Sequence, residues 1–174
     1  MHVQDVMTKT VVSCRPDSNL AEATAIMWNN DCGLLPVVGD TGKLMGVVTD
    51  RDICIAVGTR NRLACEITVG ELMYRPALTC KVDDDIHVAL DTMCREQIRR
   101  LPIVNNEGSL VGILSMDDVT LQARHQDDTY HPPISYEDVV NTLRAIYLPG
   151  SQSSCESAPQ ETAVAAKGAV PSVA

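Results

Sequence analysis

The sequence predicts an α+β protein: two β-α-β-β-α units in tandem, packed face to face about a pseudo-twofold axis, then one C-terminal helix and a disordered tail. Three observations carry this expectation. The chain is an internal duplication, in which residues 3–53 align with 69–119 at a constant offset of 66 without a gap. Thirteen of the 51 pairs are identical, among them Met7/Met73, Cys14/Cys80, Leu35/Leu101, Pro36/Pro102, Gly42/Gly108, Gly46/Gly112 and Asp52/Asp118. Apolar residues also change period in the same order in both copies, which implies one fold used twice. Finally, 174 residues suffice for one domain, or for two small repeats sharing one core that neither could bury alone.

The elements follow in order. A short β-branched run, Thr10–Ser13 in the first unit and Ala77–Thr79 in the second, predicts a strand, and Asp and Asn turn residues after it can cap a helix. Leu20, Ala23, Ile26 and Met27, and again Ile86, Ala89, Leu90 and Met93, recur every three to four residues and predict one buried helical stripe. Two apolar runs, 34–38 and 44–48, joined by Gly39-Asp40-Thr41-Gly42-Lys43, predict a hairpin, repeated at 101–104 and 110–114 around a loop containing Gly108. A closing helix begins at Thr49-Asp50-Arg51-Asp52 and at Ser115-Met116-Asp117-Asp118. The first unit with its linker therefore spans 3–66 and the second 67–122.

Beyond them, 126–133 is polar and broken by prolines. Ser135-Tyr136-Glu137-Asp138 fits a capping box opening a helix with Val139, Val140, Leu143, Ile146 and Tyr147 on one face, so 123–149 reads as loop and helix. From Gly150 to Ala174 the composition turns to Ser, Ala, Gln, Pro and Gly without periodicity. Such a segment cannot bury enough area to offset its ordering entropy, so 150–174 is expected to be disordered.

Composition excludes several functions. Fourteen Lys and Arg against 23 Asp and Glu give a net charge of −9, which provides no electrostatic footprint for nucleic acid or an anionic membrane. No apolar run approaches a membrane span, and the N-terminus lacks the basic-then-apolar order of a signal peptide, so a cytoplasmic location is expected. Seven cysteines with no C-x-x-C pair signal neither a disulfide framework nor a zinc site, and the six outside the tail are read as small hydrophobes. No metal role is expected for His87, His125 or His131. Trp28 and Met27 are assigned to a packed helix face or a dimer seam.

D-V-M-T at 5–8, L-P-V-V at 35–38, G-x-L-x-G-V-V-T-D-R-D at 42–52 and R-R-L-P-I-V at 99–104, in this order and duplicated, resemble a tandem of cystathionine-β-synthase-type (CBS) domains, the Bateman module, over about 3–119. The resemblance implies a regulatory unit that binds adenine nucleotides, or S-adenosylmethionine, in clefts between the repeats. It also implies homodimerisation and no catalysis of its own. With no catalytic, channel or transporter domain in these residues, it implies a stand-alone module acting on an unknown regulated protein. No cofactor is required; the adenine nucleotide is the regulatory ligand.

Residue types fill in the clefts. Thr49-x-x-Asp52 and Ser115-x-x-Asp118 each follow a strand and open a helix. They fit either a capping box or a sugar clamp in which Asp accepts the ribose hydroxyls while Thr or Ser touches ribose or phosphate. The resemblance favours the ribose role. It also places adenine against Thr10, Val11 and Val12, or against Pro76, Ala77 and Leu78, residues that by type alone are ordinary core. Arg99 and Arg100 precede Leu101-Pro102, where the first unit has uncharged Gly33-Leu34. By type alone these are two Arg on a solvated helix end or, since guanidinium forks suit phosphate, a phosphate site. The resemblance implies that this arm reaches the Thr49/Asp52 cleft, which is then expected to hold a phosphorylated nucleotide while the Ser115/Asp118 cleft binds more weakly. Arg60 and Arg62 between the units either reach a phosphate or are ordinary linker charge. Three readings compete: a nucleotide-sensing module, a ligand-free structural dimerisation module, and an enzyme or thiol-redox protein. The last lacks a nucleophile-base-orienter constellation and a P-loop, and the resemblance favours the first.

Overall fold

The computed structural model describes residues 1–73, 76–127 and 129–148. The expected tail at 150–174 lies outside the described residues. In each half a helix packs beside an antiparallel hairpin and a second helix closes the unit. The first half comprises α1 (Leu20–Asn29), β1 (Leu34–Val38), β2 (Leu44–Thr49) and α2 (Asp50–Arg60). The second comprises β3 (Cys80–Lys81), α3 (Ile86–Glu96), β4 (Arg100–Val104), β5 (Leu110–Ser115) and α4 (Met116–Gln122), and α5 (Tyr136–Tyr147) follows.

The helices start where capping chemistry places them. Asn19 accepts from Glu22 N and Asp85 from His87 N, so the turn residues ahead of α1 and α3 do cap them. The leading strands are shorter and later than expected. Residues 10–13 and 77–79 form no strand, and pairing begins only at Cys14, bridged in parallel to Val37, and at Cys80–Lys81, paired in parallel with Ile103–Val104. The physical reason is burial: Cys14 and Cys80 are buried, whereas Thr10, Leu78 and Thr79 are exposed. Both hairpins carry an irregularity next to their loop, and Gly42 and Gly108 adopt φ of +76° and +80°, which an L side chain rarely tolerates. That requirement explains the identical glycine pair.

The twofold relation is visible bond by bond. Leu44 N donates to Gly108 O at 3.1 Å and Leu110 N to Gly42 O at 3.2 Å, so the two hairpin loops clasp each other. Val3 N donates to Asp84 O at 2.9 Å, and its counterpart Val69 N donates to Ser18 O at 2.8 Å. Gln4 N to Val82 O and Gly70 N to Pro16 O form the next matched pair. The arm leading into each half therefore lies on the other half.

The hydrophobic interior differs from one shared core. Leu20, Ala23, Leu35, Val37, Val48 and Ile53 form one cluster that is completed by Ile67, Val69 and Leu72 of the linker arm. Ile86, Met93, Leu101, Ile103, Leu114 and Val119 form a second, completed by Val3 and Val6 of the N-terminal arm. At about 1.5–3 kcal/mol per fully buried aliphatic side chain, each arm contributes several kcal/mol to the half it crosses to. Crossing arms, rather than a merged core, join the halves.

The second cluster is larger because α5 packs on α3 and α4, adding Ile134 and Val139, with Leu143 and Ile146 at its edge. Ser135 and Asp138 form the expected capping box. Val140 and Tyr147, expected on one face with Val139, are exposed whereas Val139 is buried, and Thr142 is buried with it.

Candidate functional site

A cleft of about 720 Å³ opens between the halves. One wall is the end of β2 and the start of α2. Gly33 O accepts from Asp50 N at 3.2 Å, and a Cβ on residue 33 would stand 2.9 Å from Asp50 Oδ2, so a glycine lets the strand approach the helix mouth. Thr49, Asp50 and Arg51 line this wall. Facing it are Pro76, Ala77 and Leu78 of the second lead-in, together with Arg99 and Arg100 before β4. Ile146 and Tyr147 at the end of α5 also line the cleft.

The structure brings Thr49, Pro76, Ala77, Leu78, Arg99 and Arg100 to one cleft. Asp52, the expected ribose clamp, sits in the first turn of α2 and is not among the lining residues, whereas Asp50 and Arg51 are. Thr10 and Val11 are not brought to this cleft. They run between Thr8, hydrogen-bonded to Asp118, and Cys14, bridged to Val37, and Val12 packs on the first core.

The helix mouths realise the capping arrangement in full. Asp52 N donates to Thr49 Oγ1 at 3.2 Å, while Asp52 Oδ2 accepts from Thr49 N at 3.0 Å and from Thr49 Oγ1 at 2.6 Å. Ser115 and Asp118 repeat the pattern at 3.2, 2.8 and 2.6 Å. In each box one carboxylate oxygen takes both bonds and the other is left over.

There the two mouths part. Asp118 Oδ1 accepts from Thr8 Oγ1 at 3.0 Å, a contact made by the crossing N-terminal arm. Among the described residues no donor reaches Asp52 Oδ1; Tyr74, which aligns with Thr8, lies outside them. The Thr49/Asp52 mouth also has the cationic wall. Arg99 Nη1 donates to Tyr147 Oη at 3.0 Å, and Arg100 Nη2 lies 4.0 Å from exposed Asp117 Oδ2. Among the described residues Arg51, Arg99 and Arg100 line the cleft against one carboxylate, Asp50, and this excess of guanidinium suits it to an anion.

Other candidates find structural employment. Arg60 and Arg62 both pair with Glu71, at 3.3 and 2.8 Å, and the Arg62 hydrogen bond leads in holding the Glu71 carboxyl below its usual range. They fasten the linker arm. Burial pushes the Cys14 and Cys80 thiols up to about 11, which keeps them protonated and unreactive near neutrality. Met27 is buried, whereas Trp28 is 85% exposed. Among the described residues no group of three His, Cys, Asp or Glu is arranged to hold a metal, and no helix is long and apolar enough to cross a membrane.

Sequence reasoning missed Thr8, Asp50, Arg51 and Tyr147. Asp50 and Arg51 sit inside the quoted motif and were legible in principle. Thr8 and Tyr147 reach the helix mouths from distant segments, and no local pattern announces them.

Comparison with known proteins fits this geometry. The family model for the CBS domain matches residues 3–58 and 69–123. The CBS domain-containing protein YhcV of Bacillus subtilis is 34% identical over 119 residues, covering 68% of this chain and 83% of that protein. Coverage of other relatives is smaller: the chain spans 60% of the uncharacterized protein MK0525 of Methanopyrus kandleri and 23% of the inosine-5'-monophosphate dehydrogenase of Methanocaldococcus jannaschii. Among solved structures, the CBS domain protein PAE2072 from Pyrobaculum aerophilum, complexed with AMP, superposes with a TM-score of 0.62 at 27% identity, over 68% of this chain and 90% of that one. The CBS domain pair of protein MJ0100, in complex with 5-methylthioadenosine and S-adenosyl-L-methionine, gives 0.63 at 26% identity, over 70% and 94%. The family model covers both units of the duplication and the fold matches solved CBS pairs, so the chain belongs to the CBS-domain family as a tandem pair.

Proposed function

We propose that the chain is a regulatory module that binds an adenine nucleotide of the AMP, ADP or ATP type in the cleft at Thr49, and signals occupancy to a partner protein without catalysis of its own. The observation that carries this reading is the cleft's chemistry. Aliphatic Pro76, Ala77 and Leu78 offer a wall for a base, the Thr49 hydroxyl, held by Asp52 behind it, offers a partner for a ribose, and Arg99 and Arg100 line the same cleft to meet a phosphate. The AMP complex of PAE2072 supports the ligand class. The ligands of MJ0100 make S-adenosylmethionine the second reading; its one carboxylate can meet an arginine, but it also carries a sulfonium and an ammonium, so two arginines favour the more strongly anionic phosphates. Sensing needs only that the ligand favour one arrangement of the two halves over another. The module is expected to form a homodimer.

Titration calorimetry of the wild type and of Asp52→Ala and Asp118→Ala with AMP, ADP, ATP and S-adenosylmethionine tests the proposal. Asp52→Ala should lose more nucleotide affinity than Asp118→Ala, and Arg99→Ala with Arg100→Ala should lose affinity for nucleotides but not for adenosine. Saturating ligand at about 100 times Kd should add about 2.7 kcal/mol of stability. No binding at millimolar nucleotide would overturn the proposal and leave a structural dimerisation module; equal losses from the two Asp variants would contradict the asymmetry.

A further inference from the structure

The last turn of α5 stands in the cleft although it lies outside both matched CBS segments. The helix is held there firmly. Its N-terminus is fixed by the Ser135/Asp138 box and by the bridge between Arg124 and Ser135. Its inner face joins the second core through Val139, Leu143 and Ile146. The final residue of this rigid element, Tyr147, turns its phenol toward Arg99, whose Nη1 donates to Tyr147 Oη at 3.0 Å. A guanidinium has only donors, so the phenol oxygen accepts and its own O–H proton is left for another acceptor.

That geometry matters because both Arg99 and Tyr147 are exposed. A long, solvated arginine samples many rotamers, and tethering it removes part of the entropy a ligand would otherwise have to overcome. We infer that Tyr147 is a positioning residue of the cleft: it holds Arg99 over the space a phosphate occupies and offers its hydroxyl proton to the same phosphate, so that docking of α5 and phosphate binding support each other. This rests on the nucleotide reading above. It adds the part of the ligand that is sensed, the phosphate, and the element that responds, α5. The coupling is reciprocal: if docked α5 tightens the nucleotide, the nucleotide tightens the docking of α5 by the same factor. The element biased in this way shares a core with Met93 and Val119, so occupancy of the cleft would be felt on the helical face of the second half.

The test is calorimetry on the full chain with AMP and with adenosine, for wild type, Tyr147→Phe, Arg99→Ala and the double variant. Tyr147→Phe should weaken AMP about three- to tenfold while leaving adenosine within about twofold. In the Arg99→Ala background the Tyr147→Phe change should have less effect, because only the phenol's own bond to the phosphate is left to lose and the positioning of Arg99 no longer counts. Hydrogen exchange supplies a second readout: AMP should slow the amides of the last turn of α5 in the wild type and less so in Tyr147→Phe. Equal losses for AMP and adenosine, or additive losses in the double variant, would overturn the inference and reduce Tyr147 to a wall. Unchanged AMP affinity in Tyr147→Phe, with the wild type binding, overturns the positioning role alone. A wild type that binds neither AMP nor adenosine at millimolar concentration overturns the nucleotide reading and this inference with it.

Discussion

Replacing Thr8 by Ala removes a single hydroxyl and should convert the self-occupied helix mouth into an open one. Thr8 Oγ1 donates to Asp118 Oδ1 at 3.0 Å, while the backbone of Thr8 is separately held by two bonds of 2.9 Å to Ile113. The substitution therefore leaves the arm in register, and because the side chain is exposed it creates no cavity. A hydrogen bond between an exposed hydroxyl and a carboxylate contributes about 1 kcal/mol net, so the melting temperature should fall by about 2–4 °C. The same 1 kcal/mol is what a ribose hydroxyl must displace in the wild type, so AMP affinity at the Ser115/Asp118 mouth should rise about fivefold in the variant. Affinity at the Thr49 cleft should not change, since Thr8 is not among its lining residues. Calorimetry resolves the two sites by stoichiometry, with Asp118→Ala identifying the weaker one. The reasoning fails if both sites bind and Thr8→Ala leaves the weaker unchanged, or if it shifts the stronger by a similar factor.

Ile67, fully buried in the first core although it belongs to the linker arm, should cost about 3 kcal/mol when replaced by Ala; calorimetric unfolding that shows less than about 1 kcal/mol would mean the arm is not part of that core. Gly112→Ala should destabilise by about 1–3 kcal/mol, because a Cβ there meets the Thr8 carbonyl oxygen at 3.1 Å as well as Met7; a denaturant midpoint equal to that of the wild type would contradict this. The thiols of Cys14 and Cys80 ionise near 9.0 when solvated and at about 11 when folded, so folding favours their protonated form. Stability from this source is complete below pH 9 and declines as pH rises toward 11, and a Cys14→Ala/Cys80→Ala variant should unfold with a shallower alkaline slope whatever its absolute stability.

The architecture was legible because it is written twice. Alternating and helical periods at Leu35–Val38 and Leu20–Met27 recur at a fixed offset, and the turn chemistry at Gly42 and Gly108 agrees with both. The capping boxes were legible as local four-residue patterns, and they form as written. Local patterns could not show which half an arm joins. Val3 and Val69 read as ordinary apolar residues at the start of their own units, yet each is hydrogen-bonded to the opposite one. The same blindness hid Thr8 at Asp118 and Tyr147 at Arg99, contacts that span 110 and 48 positions. The leading strands were placed too early because β-branched side chains at Thr10–Val12 suggest pairing, whereas the buried Cys14 and Cys80 decide where it begins.

The exchange of arms makes the two copies inseparable as folding units. A fragment ending at residue 66 would keep α1, β1, β2 and α2 but leave behind Ile67, Val69 and Leu72, and with them the floor of its own interior. A fragment starting at 67 would lack Val3 and Val6. During synthesis the first copy must wait for the opening residues of the second, and the second closes over the oldest stretch of the chain, a topology of long sequence separations that slows folding. Recombination that moved a single copy into another gene would carry off an incomplete object, so the pair is the smallest piece that can be transplanted with its cleft intact.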